Sequence, residues 1–327
     1  NDSQASAVAR APVSRAYVFL IACLTAASML GTAALTILPT LAPVVARSYG
    51  VPPVWIGYQF SLVAFFLTFS LLFLGSASRR WGAVRVVQCG VGAIGAGLVL
   101  ATVPDLYALL AASALMGAGY GLIMPANSHL MARFTPREHL NMVFSVQQTG
   151  IPLGAILAAS GAPPVAVAWG WQWAVALLAL LVFALAVLLG PQSARWDDDR
   201  DPDAILLRSP FGGLGIVCRS VRLRNLSVSG FSFSGAQFCV ATYTVVAVVE
   251  QLGYDLVQAG MVLAVSQVAG IGSRLYCGWI ADRSGDSIGV LRWLAIGMTA
   301  CGLAALGLAT SWPLAAVCVL FAGLGAA

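Results

Sequence analysis

The feature that most restricts the fold of this chain is a series of apolar runs, each about as long as a membrane is thick. A helix needs about 20 apolar residues to cross the hydrocarbon core of a bilayer. With 60% hydrophobic and 9% charged residues, the chain could not cover a water-soluble surface. The sequence therefore predicts an all-α polytopic membrane protein. Ten segments, numbered here as spans 1 to 10, reach or approach the required length: 16–46, 55–75, 84–103, 106–131, 140–160, 169–190, 226–249, 256–277, 288–310 and 313–327.

One connection between these spans is much longer than the others. Residues 191–224 hold five aspartates and six arginines, whereas most other connections are short. We interpret this stretch as a hydrophilic linker between two halves of the protein. The predicted organisation is an N-terminal tail at 1–15, a first half at 16–190, the linker at 191–224 and a second half at 225–327.

The placement of arginine predicts the orientation of the chain. The loops on one side hold fifteen arginines and those on the other side hold Arg47 alone, with Arg274 set aside because it lies inside a span. Basic residues are enriched in cytoplasmic loops. We therefore expect the N-terminus and the linker in the cytoplasm, and we attribute the basic charge to topology rather than to nucleic-acid binding. The lack of lysine suggests a bacterial chain, and hence the bacterial inner membrane.

Glycines recur at a constant offset of 203 residues. Four pairs share this offset, which indicates that one unit was duplicated: Gly50 and Gly253, Gly57 and Gly260, Gly75 and Gly278, Gly82 and Gly285. Since glycine permits tight turns, we expect the stretch from Gly278 to Gly285 to be a short polar turn between two apolar spans.

The sequence of that stretch, Gly278-Trp279-Ile280-Ala281-Asp282-Arg283-Ser284-Gly285, resembles the loop signature of the major facilitator superfamily. In that family the signature lies between helices 2 and 3 and again between helices 8 and 9. The first copy keeps Gly75, Arg80 and Gly82, but Arg79 stands where the family has aspartate. The resemblance implies two pseudo-symmetric six-helix bundles. Ten of the twelve helices are present, and residues 313–327 are expected to be a truncated helix 10.

The resemblance also implies that the two loop motifs, including Arg283, act in gating. Asp282 is expected near the N-terminal end of span 5, around Asn141, where the helix dipole favours an anion by roughly 0.3–1 kcal/mol. Arg79 would repel the corresponding helix end, which predicts one intact and one weakened latch. In span 5, the residues Gly150, Pro152 and Gly154 resemble the family's glycine-proline motif. Proline and small residues suit a hinge that packs closely on its neighbour.

Polar side chains on spans 1 and 7 are the first candidates for substrate contacts. Thr32 and Thr36 share a face of span 1 with Thr25 and Ser28. On span 7 the candidates are Gln237 and Tyr243. In the superfamily these two helices line the central cavity, so these side chains would meet the solute. The alternative is that the hydroxyls bond to carbonyls of their own helix.

Four amide side chains form a second set of candidates: Asn127, Gln147, Gln148 and Gln267. They could bind a polar or anionic solute, or they could bond to one another and hold helices together. The sequence leaves both interpretations open.

Arg274 is the only base well inside an apolar run, and charges in that position are costly. It is a candidate counter-ion for an anionic substrate. The alternative is that it reaches the interface or pairs with Asp282, since it precedes Gly278 by only about 6 Å of helix rise.

These observations predict a secondary transporter that moves a small solute by alternating access. Because the run from Gln147 to Gly154 is similar to that of the bacterial cyanate-permease group, we expect a small organic or inorganic anion. The alternative in the same superfamily is a drug or metabolite exporter, and a remote one is a membrane sensor or enzyme. We expect no enzyme activity, no cofactor and no metal. The predicted partners are a small-molecule substrate and the lipid bilayer, with proton coupling left open, no nucleic acid, and a monomeric state.

Overall fold

The computed structural model describes residues 15–52, 54–201, 203, 215, 217–250, 252–253, 256–307 and 312–326, and all of their regular structure is helical. The chain divides into two compact units, Asn1–Pro210 and Phe211–Ala327. The helices of the first unit are α1 (Arg15–Thr40), α2 (Ala42–Tyr49), α3 (Val54–Phe73), α4 (Ala77–Trp81), α5 (Ala83–Leu100), α6 (Leu106–Phe134), α7 (Leu140–Gln148), α8 (Gly150–Trp169) and α9 (Trp171–Trp196). The described helices of the second unit are α10 (Val221–Glu250), α11 (Leu256–Ser284), α12 (Ser287–Leu306) and α13 (Leu314–Ala326).

Each of the ten predicted spans is helical in the described residues. Spans 1 and 5 are each made of two helices, which join at Leu41 and at Thr149. By length and composition, seven stretches of the described residues can cross a membrane: Arg15–Thr40, Trp55–Phe73, Ala83–Leu100, Leu106–Phe134, Arg137–Trp169, Trp171–Ala194 and Ser287–Leu306. Large apolar side chains lie on the outside of these helices, among them Phe65, Leu180 and Val187, which are all more than half exposed. The protein is an integral membrane protein.

Helix α6 is the centre of the first unit, where it packs against α3 on one side and α5 on the other. Glycines make both contacts close. A Cβ added at Gly121 would lie 2.6 Å from the carbonyl oxygen of Leu67 on α3, and one added at Gly119 would lie 2.5 Å from that of Gly90 on α5. Small residues at such positions let membrane helices approach through their backbones. In the same unit α1 packs on α8, and α9 packs on α5.

The second unit repeats part of this arrangement. Its α13 packs against α11 and α12, as α6 packs against α3 and α5 at the corresponding positions of the repeat. Among the described residues, five glycines have a positive φ, and four of them form two pairs at the offset of 203: Gly50 and Gly253 at 65° and 73°, Gly82 and Gly285 at 93° and 66°. The duplication seen in the sequence is thus present in the backbone conformation.

The prediction that Gly278–Gly285 is a turn is wrong for most of its length. Helix α11 continues through this stretch to Ser284, and only Gly285 and Asp286 separate it from α12. Gly278 is buried and helical. The helix can continue because the residues between the two glycines contain neither proline nor glycine, the residues that break helices most strongly.

Candidate functional site

Three buried polar side chains meet where α1, α6 and α7 come together. The Gln147 amide on α7 and the Asn127 amide on α6 both donate to Ser28 Oγ on α1, the second at 3.2 Å. Asn127 Nδ2 also lies 3.3 Å from the carbonyl oxygen of Leu24. All three side chains are at least 94% buried. Two of the four predicted amides therefore link helices, through a serine that the sequence had placed on the polar face of span 1.

One acceptor in this cluster is left without a partner. Asn127 Oδ1 is buried and makes no hydrogen bond to any residue that the structure describes. The bond from Nδ2 to the Leu24 carbonyl fixes which end of the amide faces α1, because an oxygen there would face another oxygen. An unsatisfied buried acceptor costs about 1–3 kcal/mol. The cluster can therefore take one further hydrogen-bond donor, from a water or from a solute.

Glycines on α8 bring α1 close enough to form this cluster. A Cβ added at Gly150 would lie 2.7 Å from the carbonyl oxygen of Thr25, and one added at Gly154 would lie 2.1 Å from that of Met29. Pro152, between them, is also buried. The predicted glycine-proline motif thus lies directly on the part of α1 that carries Ser28.

The predicted threonines of α1 differ in what they contact. Thr36 Oγ1 donates to the carbonyl oxygen of Thr32 at 2.8 Å, so this hydroxyl is hydrogen-bonded within its own helix. Thr32 Oγ1 instead lies 2.9 Å from the hydroxyl of Tyr120 on α6. Gly31 makes room for this tyrosine, since a Cβ there would lie 2.6 Å from its ring. Tyr120 was not predicted; the signal available was a tyrosine with glycine on both sides in an apolar run.

An apolar groove of about 470 Å³ lies beside the cluster, between α1 and α7. Its polar edge includes Tyr17, whose hydroxyl lies 2.8 Å from Thr135 Oγ1. Gln148, the last residue of α7, is half-buried and has an interaction partner. The groove is lined by Tyr17, Val18, Ile21, Ala22, Thr25, Ala26, Met29, Val143 and Val146.

A second buried polar pair lies between α3 and α6. Gln59 Nε2 donates to Ser113 Oγ at 3.1 Å, and Ser113 donates to the carbonyl oxygen of Leu109 at 2.7 Å. Gln59 Oε1 is buried and has no hydrogen-bond partner in the described part of the chain. Gln59 was not predicted, although a glutamine inside an apolar run is by itself a sign of a polar contact.

The predicted residues of the second unit are described in part. Gln267 on α11 is half-buried, and the side chains of Gln237 and Tyr243 on α10 lie outside the described residues. Arg274 is half-buried and has an interaction partner. Because α11 runs to Ser284, Arg274 lies ten residues, or about 15 Å of rise, before the end of its helix. Its helix therefore continues about 9 Å beyond the point, at Gly278, where the sequence had predicted the turn.

The second loop motif lies at the end of α11. Asp282 has an interaction partner, and Arg283 places its guanidinium 5.3 Å from the centre of the Trp279 ring. Asp282 is eight residues from Arg274, whereas side chains on one helix pair at separations of three or four. Helix geometry therefore does not favour the predicted pairing of Arg274 with Asp282.

The first loop motif is held by an acid from the linker. Gly75 lies in the turn after α3, Arg79 and Arg80 are exposed on α4, and Gly82 joins α4 to α5. The carboxylate of Asp197 accepts hydrogen bonds from the first amides of α5. The family's aspartate is replaced by Arg79 in this loop, yet a carboxylate is present at the helix end beside it.

The family model described as "Major Facilitator Superfamily" matches residues 21–327 of this chain. Among solved structures, the transporter FucP in the outward conformation matches with a TM-score of 0.72 at 18% identity, over 95% of this chain and 83% of that chain. The human organic anion transporter MFSD10 matches with a TM-score of 0.65 at 18% identity, over 94% and 82%. At such identities these two likenesses show the fold alone.

Curated relatives are similar in sequence over most of this chain. Monocarboxylate transporter 11 of Homo sapiens is 28% identical over 241 residues, which are 72% of this chain and 50% of that protein. The 4-hydroxybenzoate transporter PcaK of Pseudomonas aeruginosa is 26% identical over 317 residues, or 87% of this chain and 70% of that protein. The chain spans about half the length of the human and mouse monocarboxylate transporters that it matches.

Proposed function

Since the chain belongs to the major facilitator superfamily, as its sequence motifs predicted, we propose that it is a secondary transporter that moves a small organic anion across the membrane by alternating access. The relatives named above support the substrate class. Two of them are transporters of monocarboxylates and of 4-hydroxybenzoate, which also carries a single carboxylate.

The observation that carries this proposal is the position of Arg274. Arg274 is half-buried within α11, about 15 Å of helix rise before its last residue, Ser284. A charged residue inside a membrane helix is costly, by roughly 2.5–3.5 kcal/mol at the bilayer centre on insertion scales, so it is retained where its charge is used. The guanidinium has five donors in a planar fork that matches a carboxylate, so it can serve a carboxylate and its present partner together. In the described spans of the first unit, by contrast, the buried polar side chains are uncharged, among them Ser28, Asn127 and Gln147.

The proposed orientation follows from the arginines. The end of the first unit that carries α4, the start of α5 and the end of α6 is called here the arginine-rich end. Basic loops remain in the cytoplasm. We place the arginine-rich end and the N-terminus there, in the inner membrane of a bacterium, with the protein acting as a monomer.

The test is a flux measurement on the full-length protein in proteoliposomes. Labelled acetate, lactate, benzoate and 4-hydroxybenzoate are compared with a neutral sugar, with and without an imposed pH gradient. We expect carboxylate flux that falls about 10- to 100-fold in Arg274→Gln, because a hydrogen bond to a charged group is worth about 1.5–3 kcal/mol. The gradient arm shows whether a proton moves with the anion.

Arg292→Gln is the matched control, because Arg292 is an exposed arginine near the start of α12. Its flux should remain close to that of the unchanged protein. Sugar flux without carboxylate flux would overturn the proposed substrate class. Equal carboxylate flux in the two variants would overturn the role of Arg274.

A further inference from the structure

The turn between α4 and α5 lacks a side-chain cap for α5 at the position directly before that helix. The first amides of a helix have no partner within the helix and are usually capped by a side chain at the position before it. That position is Gly82, which has no side chain to offer. At the corresponding turn of the second unit, Asp286 caps α12 by accepting a hydrogen bond from Gly289 N at 2.8 Å. The first unit needs an acceptor from elsewhere.

Asp197 is that acceptor. Its two carboxylate oxygens lie 2.8 Å from Val84 N and 3.0 Å from Arg85 N, although it is more than 110 residues away in the sequence. The side chain is 8% exposed and occupies the space that a Cβ at Gly82 would fill, 2.3 Å from Asp197 Cγ. Burial raises the pKa of this carboxyl above its ordinary value, and the two amide bonds oppose that shift.

The two aspartates that follow form ion pairs with the end of α6. Arg133 lies 2.7 Å from Asp198 and 2.8 Å from Asp199 through its two terminal nitrogens. Asp199 also lies 2.8 Å from His129 Nε2, one turn earlier on the same helix. An isolated surface pair contributes little, but a guanidinium shared by two carboxylates has defined geometry.

Two further contacts extend this attachment in both directions along the chain. The amide of Asp201 donates to the carbonyl oxygen of Arg79 at 2.7 Å, which satisfies a carbonyl at the end of α4. The ring of Trp196 packs edge-on against Phe134, with 4.6 Å between centroids. Residues 196–201 thus contact α4, α5 and α6 at once.

We propose that residues 196–201 act as a strap that joins α4, α5 and α6 at the arginine-rich end. The strap supplies, from a distant part of the same chain, the helix cap that the turn at Gly82 lacks. The start of the linker is then a fixed part of the first unit rather than a passive tether. The cap on α5 depends on the ion pairs on α6, because the same short segment makes both. This coupling does not depend on the proposed transport activity.

Hydrogen exchange by mass spectrometry on the full-length protein in nanodiscs tests the strap. Asp197→Ala removes the cap. Arg133→Gln removes the two ion pairs of Arg133 without touching α5, and it leaves the contact between Asp199 and His129 in place. We expect both variants to speed exchange in the peptide 82–88, Asp197→Ala by about tenfold, which corresponds to the loss of a typical cap. Arg133→Gln should have a smaller effect on the same peptide. Asp203→Ala is the control, because Asp203 is exposed and lies beyond the strap.

A second readout follows the strap itself. Arg200 lies inside it, so trypsin should cleave after Arg200 faster in Asp197→Ala and in Arg133→Gln than in Asp203→Ala. If Asp197→Ala does not fold, Arg133→Gln and Asp197→Asn are measured alone, with the same expectation for peptide 82–88. Unchanged exchange of that peptide in Arg133→Gln would overturn the strap, because it would show that the cap and the ion pairs act independently.

Discussion

The close contact between α1 and α8 makes a graded prediction about three glycines on one helix. A Cβ added at Gly154 would lie 2.1 Å from the carbonyl oxygen of Met29, one at Gly150 would lie 2.7 Å from that of Thr25, and one at Gly161 would meet nothing nearer than 3.9 Å. Ordinary contact begins at 3.4 Å, so alanine at Gly154 requires the two backbones to separate by about 1.3 Å. Backbone atoms cannot rotate away as side chains can.

Two effects of opposite sign determine how each alanine changes the free energy of unfolding. Replacing glycine by alanine within a helix stabilises it by roughly 0.5–1 kcal/mol. Forcing an extra carbon into a well-packed contact costs about 1–3 kcal/mol. At Gly161 only the first effect applies, so Gly161→Ala should raise the free energy of unfolding slightly. At Gly154 the second should dominate, which gives a net loss of about 1–2 kcal/mol, with Gly150→Ala between the two.

Thermal unfolding of the purified full-length protein in one detergent measures the series. For a unit of about 200 residues, 1 kcal/mol corresponds to roughly 2–4 °C in Tm. The expected order of Tm is Gly161→Ala highest, then Gly150→Ala, then Gly154→Ala, with the last below the unchanged protein. Equal Tm values for Gly154→Ala and Gly161→Ala would refute the close packing of α1 on α8.

Two further predictions concern the buried polar groups. Ser28→Ala leaves two buried amides without their shared acceptor and should lower the free energy of unfolding by about 1–3 kcal/mol. Thr36→Ala removes only a bond within its own helix and should change the free energy of unfolding by less than about 1 kcal/mol. Equal losses of the two variants in thermal unfolding would contradict the role of Ser28. Gln59→Leu removes an acceptor that has no partner among the described residues, and it leaves the bond from Ser113 to its own helix in place. The variant should therefore be as stable as the unchanged protein or more stable in the same assay. A loss above about 2 kcal/mol would show that Gln59 Oε1 has a partner such as water.

Much of the fold could be predicted because its signals are local or periodic. Apolar runs of membrane length located ten helical spans, and a constant glycine offset revealed the duplication. The positive φ angles of Gly82 and Gly285 show why that offset was visible: both turns need a residue that tolerates this conformation. The same reasoning failed at Gly278, because a repeated spacing does not indicate which of two glycines ends the helix.

The candidate site could be predicted only in part. The sequence identified Asn127 and Gln147 as costly polar groups, but not that Ser28 joins them. Helical periodicity placed Ser28 and Thr32 on one face without indicating that one would bond to amides and the other to Tyr120. Which partner each hydroxyl finds depends on the separation of the helices, and glycines on the neighbouring helix set that separation.

The strap shows the limit of reading a cap from the sequence. Capping is normally recognised because the acceptor stands directly before the helix, as Asp286 does for α12. At the duplicated position in the first unit the local acceptor is missing, which would predict a weak helix start. The acceptor comes instead from a segment that composition alone describes as a solvated linker. A glycine at a helix start, without a local acceptor, is therefore a reason to look for an acid elsewhere in the chain. Both copies of the repeated unit thus supply a carboxylate to the first amides of the corresponding helix, one from the adjacent residue and one from a distant segment of the same chain. The sequence similarity between the two copies therefore understates how far their loops remain equivalent.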